Sequence, residues 1–401
     1  MSGDITRRRW LGTMAGAAAL GAPAVLKAQH RIFAGTQSEF SNRTISLMQS
    51  SLVIDLLNQF LYRIDQADQL ESWLGTPGAF TPADWRRFMD TGVHAISFGN
   101  GAGSHAEGIA LFARWNRFIS WYPDRLLRIT EVADFDRARA SGRYAILFGC
   151  QDGAHIRCAD DVDLFHGAGQ RLSQLTYNGQ NALASGAFAE QDTGVSPLGA
   201  EVVARMNGVG MGVDIAHASD RTKLDILDMA RAPVLLSHGT CRSLIAHPRT
   251  VSDEAIRLVA RSGGVIGVAF VANMLKDKPS EQVTVDDVID HIDHIGRLVG
   301  LEHVGIGSDA GLETHDLAPP DVQRKFWSRI SPRYQQRGLR EAAVGLDGQK
   351  KIFALTEGLV RRGYADREIA MILGGNWYRA LRDVWAAGAS ASPTPLPGAP
   401  A

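Results

Sequence analysis

The chain has 401 residues, 45% apolar and 21% charged, and a formal net charge of -1. This is an ordinary soluble composition, long enough for one large α/β barrel or two medium domains. Neither the net charge nor any run of Lys and Arg makes a basic face, which excludes a nucleic-acid binder.

The chain opens on a targeting segment. Thr6-Arg7-Arg8-Arg9-Trp10-Leu11 precedes a small-residue apolar run from Gly12 to Val25, with cleavage positions near Ala24 or Ala28. Residues 1–28 read as a twin-arginine export signal, so the predicted location is the periplasm. The apolar run is shorter than the roughly 20 residues a bilayer span needs, and no integral membrane segment is expected after signal removal. Losing three Arg, one Lys and one Asp with the signal would take the net charge from -1 to -4. Cys150, Cys158 and Cys241 fit no metal-ligand spacing, and a single Cys150 to Cys158 bridge is the pairing left open in an oxidising compartment.

From residue 51 onward, short β-rich apolar runs alternate with helical patterns. There are eight, at 52–57, 93–99, 144–150, 172–177, 210–217, 233–238, 264–270 and 303–309. Strands apolar along their whole length are buried on both faces, as in parallel sheets covered by helices. Eight βα units predict an α/β fold, a closed (β/α)8 TIM barrel spanning 29–385. Thr284 and Asp287 form a capping box ahead of the stripe Val288, Ile292, Ile295 and Val299, and Gly300 closes that helix. The stretch 252–262 does the same, with Ile256, Val259 and Ala260 ahead of Gly263. His291 and His294 sit on the first of these helices and read as surface residues.

Long segments follow three strands, at 58–91, 178–200 and 310–349, lengths that suit pocket walls or lids. The last, with Trp327, Arg333, Tyr334 and Arg340, equally suits a dimer contact. From Ala386 to residue 401 the chain becomes rich in Pro, Ala and Ser and is predicted to be disordered.

In a barrel the active site lies where strands end. Here those ends carry Leu57 to Gln59, Asn100, Gln151-Asp152, Tyr177-Asn178, His217, His238, Asn273 and Asp309. Histidines and an aspartate converging from different strands indicate a metal or acid–base site. The alternative is structural, with Asp309 capping a turn and His217 bonding a backbone carbonyl.

The run Pro197-Leu198-Gly199 to Asp214-Ile215-Ala216-His217, then Ser237-His238, Ala246-His247-Pro248-Arg249, Ser262-Gly263-Gly264, and His303 to Asp309 resembles the membrane (renal) dipeptidase family of zinc hydrolases. Gly374-Gly375-Asn376-Trp377-Tyr378-Arg379 is similar to that family's closing helix. The resemblance is collinear over most of residues 50–383. It implies a barrel holding two zinc ions that share a bridging glutamate and cleave a dipeptide, with a homodimer as the family expectation. Carried over, His217 and His238 match the histidines of one zinc ion, Arg249 matches the arginine that holds the substrate carboxylate, and Asp309 matches the aspartate beside the reacting centre. Asn376 is counted with Arg249 and Tyr177 as substrate-binding.

The first half departs from the family pattern at its ligands. The histidine ligand of strand one is Leu57 and the aspartate ligand is Gln59; the bridging glutamate is matched by Gln151; the histidine that polarises the scissile carbonyl is Tyr177. Amide oxygens bind borderline cations far more weakly than carboxylates, so one zinc ion at most, or none, is expected. Asp309, Gln151 or a shifted Asp152, with His155 a further candidate if its loop has moved, would supply a third ligand. Two functions follow: an exported hydrolase of a dipeptide or similar small amide with a mononuclear site, or a catalytically inactive barrel that binds a peptide or matures a peptide metabolite. Metal-free acid–base chemistry by Asp309 with either histidine is a third.

Overall fold

The computed structural model describes residues 39–390 except 331, 333, 334 and 336, so the predicted export signal, the predicted tail beyond 390, Arg333 and Tyr334 lie outside the described residues. Among the described residues nine strands run in parallel: β1 (Ile54–Asn58), β2 (Ala95–Phe98), β3 (Leu126–Ile129), β4 (Tyr144–Leu147), β5 (Leu172–Gln174), β6 (Gly212–Asp214), β7 (Leu236–Gly239), β8 (Ile266–Val268) and β9 (Val304–Ile306). Seven form one sheet in the order β3-β4-β2-β1-β9-β8-β7, and β5 pairs with β6. A bridge between Phe148 and Gln170 joins the end of β4 to the start of β5, and one between Asp214 and Leu235 joins β6 to β7. These two links close the ring, and the fold is a (β/α)8 barrel with β3 as an extra strand alongside β4.

The eight ring strands are those the apolar runs predict. Each is buried along its whole length, so neither face needs polar residues and no alternation appears. The sequence reading misses β3 because Leu127 and Arg128 are only half-buried and the strand is four residues long.

The interior is tight. Trp377, fully buried, reaches from the helix Asn376–Ser390 to donate its indole N–H to the Ile306 carbonyl at 2.9 Å. A Cβ on Gly267 or Gly307 would run into the Ser237 carbonyl oxygen, so the ring closes at this level only because both positions are glycine. Outside the ring, the Thr284–Asp287 capping box and the buried stripe Val288, Ile292 and Ile295 hold the helix Val285–Val299 against the barrel.

Three expectations need correction. His291 is fully buried rather than on the surface: its Nδ1 accepts the Cys241 N–H at 2.9 Å and its Nε2 bonds the Leu275 carbonyl at 2.8 Å, satisfying both ring nitrogens away from water. Cys150 is buried and Cys158 exposed, and both are free thiols. The helix Asn376–Ser390 continues past Ala386, where composition alone begins the tail. Among the described residues no helix is long and apolar enough to cross a membrane.

Candidate active site

His217 follows β6 and His238 lies within β7, and their Nε2 atoms face each other at 3.0 Å, both side chains fully buried. The other ring nitrogen of each is held. His217 Nδ1 lies 2.8 Å from the Asn178 side-chain oxygen Oδ1, and His238 Nδ1 lies 2.8 Å from Ser237 Oγ, whose own proton goes to Asp214. An amide oxygen can only accept, and a serine donating elsewhere accepts as well. Both imidazoles are therefore Nδ1–H tautomers with lone pairs on the facing Nε2 atoms. Burial first, then the charge of Arg249, drives both pKa values well below that of a free imidazole, so both are neutral.

Two donors serve these lone pairs. The Gln151 amide nitrogen sits 3.3 Å from His217 Nε2 and 3.4 Å from His238 Nε2, and an Arg249 guanidinium nitrogen sits 3.0 Å from His238 Nε2. Arg249 is fully buried and also donates to the Ala216 carbonyl, while its Nε has no partner among the described residues. That guanidinium has donor capacity left for a ligand.

Asp309 lies just past β9, in left-handed backbone with φ of 55°, a conformation Asp tolerates better than most residues. Its Oδ1 accepts the Gln59 amide N–H at 2.7 Å and its Oδ2 is 4.0 Å from His238 Nε2. Burial raises its pKa to about 6, against the Gln59 hydrogen bond and the Arg249 charge, which lower it. Tyr177, 43% exposed, stacks on His217 with ring centroids 4.0 Å apart and covers that imidazole from the solvent side. Beside these groups opens a cavity of about 480 Å³, lined by the loops after β5, β6 and β7, including Ala187, Ser219, Arg242 and His247.

The structure thus gathers His217, His238, Arg249, Asp309, Gln151, Gln59 and Tyr177 at one end of the barrel. Three candidates are not among them. Asn376 is buried at the opposite end, where its side-chain amide donates to the Leu301 and Val304 carbonyls at 2.7 and 2.8 Å, so its role is to brace the entry to β9 rather than bind substrate. Asp152 is committed to bracing its own loop and the one after β5, accepting from Ala154 N at 3.0 Å and the Asn181 amide at 2.9 Å. His155 is turned away from the histidine pair, its ring nitrogens 3.0 Å from the Asp152 carbonyl oxygen and 3.1 Å from the Gln170 amide oxygen, one of which takes its N–H. Sequence reasoning passes over Asn178, Ser237 and Asp214 as orienting groups, although each adjoins or precedes a site residue in a quoted motif.

The fit to metal differs for one ion and for two. Leu57 is a buried aliphatic side chain, Gln59 turns its amide donor toward Asp309, and Gln151 turns its own toward the histidines. Nothing in that set supplies the anionic ligands a second ion needs. Among the described residues no group of three His, Cys, Asp or Glu side chains converges closely enough to hold a metal. The opposed imidazoles, each fixed through its second nitrogen, do fit one ion, with Asp309 as the nearest carboxylate.

A parallel β-barrel with histidines and an aspartate at its strand ends is the architecture of metal-dependent hydrolases. The sequence pattern described as membrane dipeptidase, peptidase family M19, matches residues 43–323, and the chain belongs to this family of metallopeptidases. Curated relatives include dipeptidase tcpJ of Claviceps purpurea, 30% identical over 67% of this chain and 57% of its own. Dipeptidase verJ of Clonostachys rogersoniana is 31% identical over 66% of this chain and 62% of its own, so this chain spans less than two thirds of the length of either. Among solved structures, an amidohydrolase from Pseudomonas aeruginosa superposes with a TM-score of 0.70 at 27% identity, covering 86% of this chain and 99% of that one. A metallopeptidase from Rhodobacter sphaeroides, solved with a phosphinate mimic of the dipeptide L-Ala-D-Ala, shares the fold with a TM-score of 0.67 at 16% identity, over 84% of this chain and 100% of that one.

Proposed function

We propose that the protein is an exported hydrolase of dipeptides or similar small amides that works with a single metal ion, zinc by ligand type, held by His217 and His238. The observation that carries this reading is the pair of opposed Nε2 lone pairs at 3.0 Å, each oriented by a hydrogen bond at the other ring nitrogen. When bound, zinc supplies Lewis acidity and brings the pKa of a water to roughly neutral.

The chain's own groups do the rest. Arg249, buried and with donor capacity in hand, anchors the substrate's carboxylate by charged hydrogen bonds. Asp309, with a pKa raised to about 6, exchanges a proton near neutrality, and the Gln59 amide fixes which carboxylate oxygen stays free to do so. Tyr177 shields His217 from bulk water and offers its hydroxyl to an oxyanion, as the family's histidine would.

Metal analysis of protein purified from the periplasm, combined with a dipeptide panel assayed with and without chelator, tests this. Bound metal with chelator-sensitive hydrolysis is expected; neither metal nor metal-dependent turnover sinks it. One observation favours a second reading, a peptide-binding barrel without catalysis: Gln151 and Arg249 already donate to the lone pairs a metal would use. In that case His217→Ala leaves affinity for a dipeptide unchanged.

A further inference from the structure

Two buried aspartates that take no direct part in the proposed chemistry share one geometry. Asp214, at the end of β6, accepts the Ser237 backbone N–H at 2.9 Å and the Ser237 hydroxyl at 2.5 Å. Asp55, in β1, accepts the Ser308 backbone N–H at 2.8 Å and the Ser308 hydroxyl at 2.5 Å. The register is the same as well. Asp214 pairs with Leu235 and grips the serine two positions on; Asp55 pairs with Ile306 and again grips the serine two positions on. Each serine immediately precedes a site residue, His238 or Asp309. Both carboxylates are almost fully buried, at 2% and 1% exposure, and both take further donors, Gln174 and Ala216 N on Asp214 and Asn58 on Asp55. An aspartate is a costly way to fill a barrel wall unless its acceptors are needed where they are.

We propose that Asp55 and Asp214 are a matched pair of positioning residues, each clamping the serine that sets the orientation of the next side chain in the site. On the Asp214 side the clamp works through a proton. Ser237 gives its hydroxyl hydrogen to the carboxylate, so its oxygen can only accept, and His238 must keep its proton on Nδ1, 2.8 Å away. The Nε2 lone pair then points into the site. On the Asp55 side the clamp works through the backbone. Ser308 is pinned at nitrogen and hydroxyl, Asp309 N–H bonds the Leu57 carbonyl at 3.0 Å, and Gln59 N–H bonds the Ala310 carbonyl at 3.2 Å. Between these fixed points Asp309 takes its left-handed turn, which aims the carboxylate at Gln59 and His238.

This inference deepens the hydrolase reading, but its primary test needs neither metal nor turnover. In metal-free full-length protein labelled with ¹⁵N-histidine, long-range ¹H–¹⁵N spectra report the His238 tautomer, assigned by its loss in His238→Gln. The Nδ1–H form alone is expected in the wild type and in Arg249→Met, which removes the cationic donor to Nε2; in that background the Nε2–H form should appear with Ser237→Ala and recede again with Ser237→Thr, which keeps the hydroxyl. Cobalt(II) titration of the same proteins should show affinity about 10–100-fold weaker in Ser237→Ala, the usual effect of losing an outer partner of a ligating histidine. An Nε2–H wild type, or a tautomer unmoved by Ser237→Ala in the Arg249→Met background, overturns the clamp. A tautomer that shifts in a protein that binds no cobalt supports the clamp and counts only against the metal. Crystals of Asp55→Leu, or of Asp55→Ala should the first not fold, read the second clamp, because they remove both acceptors from Ser308: Asp309 should leave positive φ, and its retention overturns that half.

Discussion

Replacing Arg249 with methionine removes a guanidinium that is 1% exposed and whose partners are a backbone carbonyl and a neutral imidazole rather than a carboxylate. Holding an ion of that size out of water costs several kcal/mol even after relaxation, and exchanging buried ionic groups for apolar side chains of similar volume has stabilised other folds by about 1–4 kcal/mol. Against that, the Ala216 carbonyl loses a donor, a cost of about 1–3 kcal/mol. The balance is a variant as stable as the wild type or more stable by about 1 kcal/mol, with Tm up by about 2 °C at this chain length. Ligand binding moves the other way. Truncating one side of a buried charged pair costs about 2–5 kcal/mol, so affinity for a ligand with a free carboxylate should fall on the order of a hundredfold. Urea midpoints give the first quantity; calorimetric titration with a dipeptide and with its C-terminal amide gives the second. The wild type should prefer the free acid, and Arg249→Met should bind both alike. A variant that loses about 3 kcal/mol of stability or more yet keeps the preference for the acid would refute the carboxylate-anchor role and make Arg249 a structural brace.

Burial holds the His291 pKa at about 4, below its unfolded value of 6.5. The unfolded chain therefore binds the extra proton first, and the contribution of the neutral ring is complete above pH 6.5 and lost as pH falls toward 4. The loss is about 3 kcal/mol, visible as a falling urea midpoint that His291→Leu flattens at a fixed cost. The combined change Leu57→His, Gln59→Asp and Gln151→Glu should raise zinc content to two ions per chain by elemental analysis. An unchanged stoichiometry would show that something other than these side chains limits metal. Gly307→Ala, whose methyl would strike the Ser237 carbonyl, should cost about 3 kcal/mol or more in denaturant titration, whereas Gly75→Ala, with open space around it, should not destabilise.

The barrel was legible because parallel strands covered on both faces leave a long-lived mark, an unbroken apolar run ending on a polar residue, and His217, His238 and Asp309 stand at three such ends. What stayed hidden involves direction rather than identity. A motif such as Gly374-Gly375-Asn376 reveals nothing about which end of the barrel its side chains meet, and Asn376 braces the far one. Asp152 and His155 have the right chemistry in the right loop, but local hydrogen bonds to Ala154, Asn181 and Gln170 turn them away from the histidine pair. The aspartate–serine clamps join residues 23 and 253 positions apart, and only the barrel's register brings each pair together.

The two glutamines, at positions where the resemblance implies carboxylate ligands, have glutamate's shape and the opposite hydrogen-bonding role. Gln59 donates to Asp309 Oδ1 at 2.7 Å, and Gln151 donates toward both imidazoles at 3.3 and 3.4 Å. A glutamate, the carboxylate isosteric with glutamine, would at position 59 face the Asp309 carboxylate at that same distance, and two such groups cannot both stay ionised without a proton or a cation between them. The amide removes that demand, which lets this chain fold around its site with no ion at the strand-one position. Gln59→Glu alone should restore the demand. Without metal, the variant should be less stable than the wild type by about 1–3 kcal/mol at neutral pH, the usual cost of leaving a buried polar group unpaired. With added zinc, its Tm should rise more than that of the wild type, because an ion that binds only the folded form stabilises it by mass action. Equal zinc responses in the two proteins would mean that position 59 does not face the metal, and the ligand correspondence on strand one would fall.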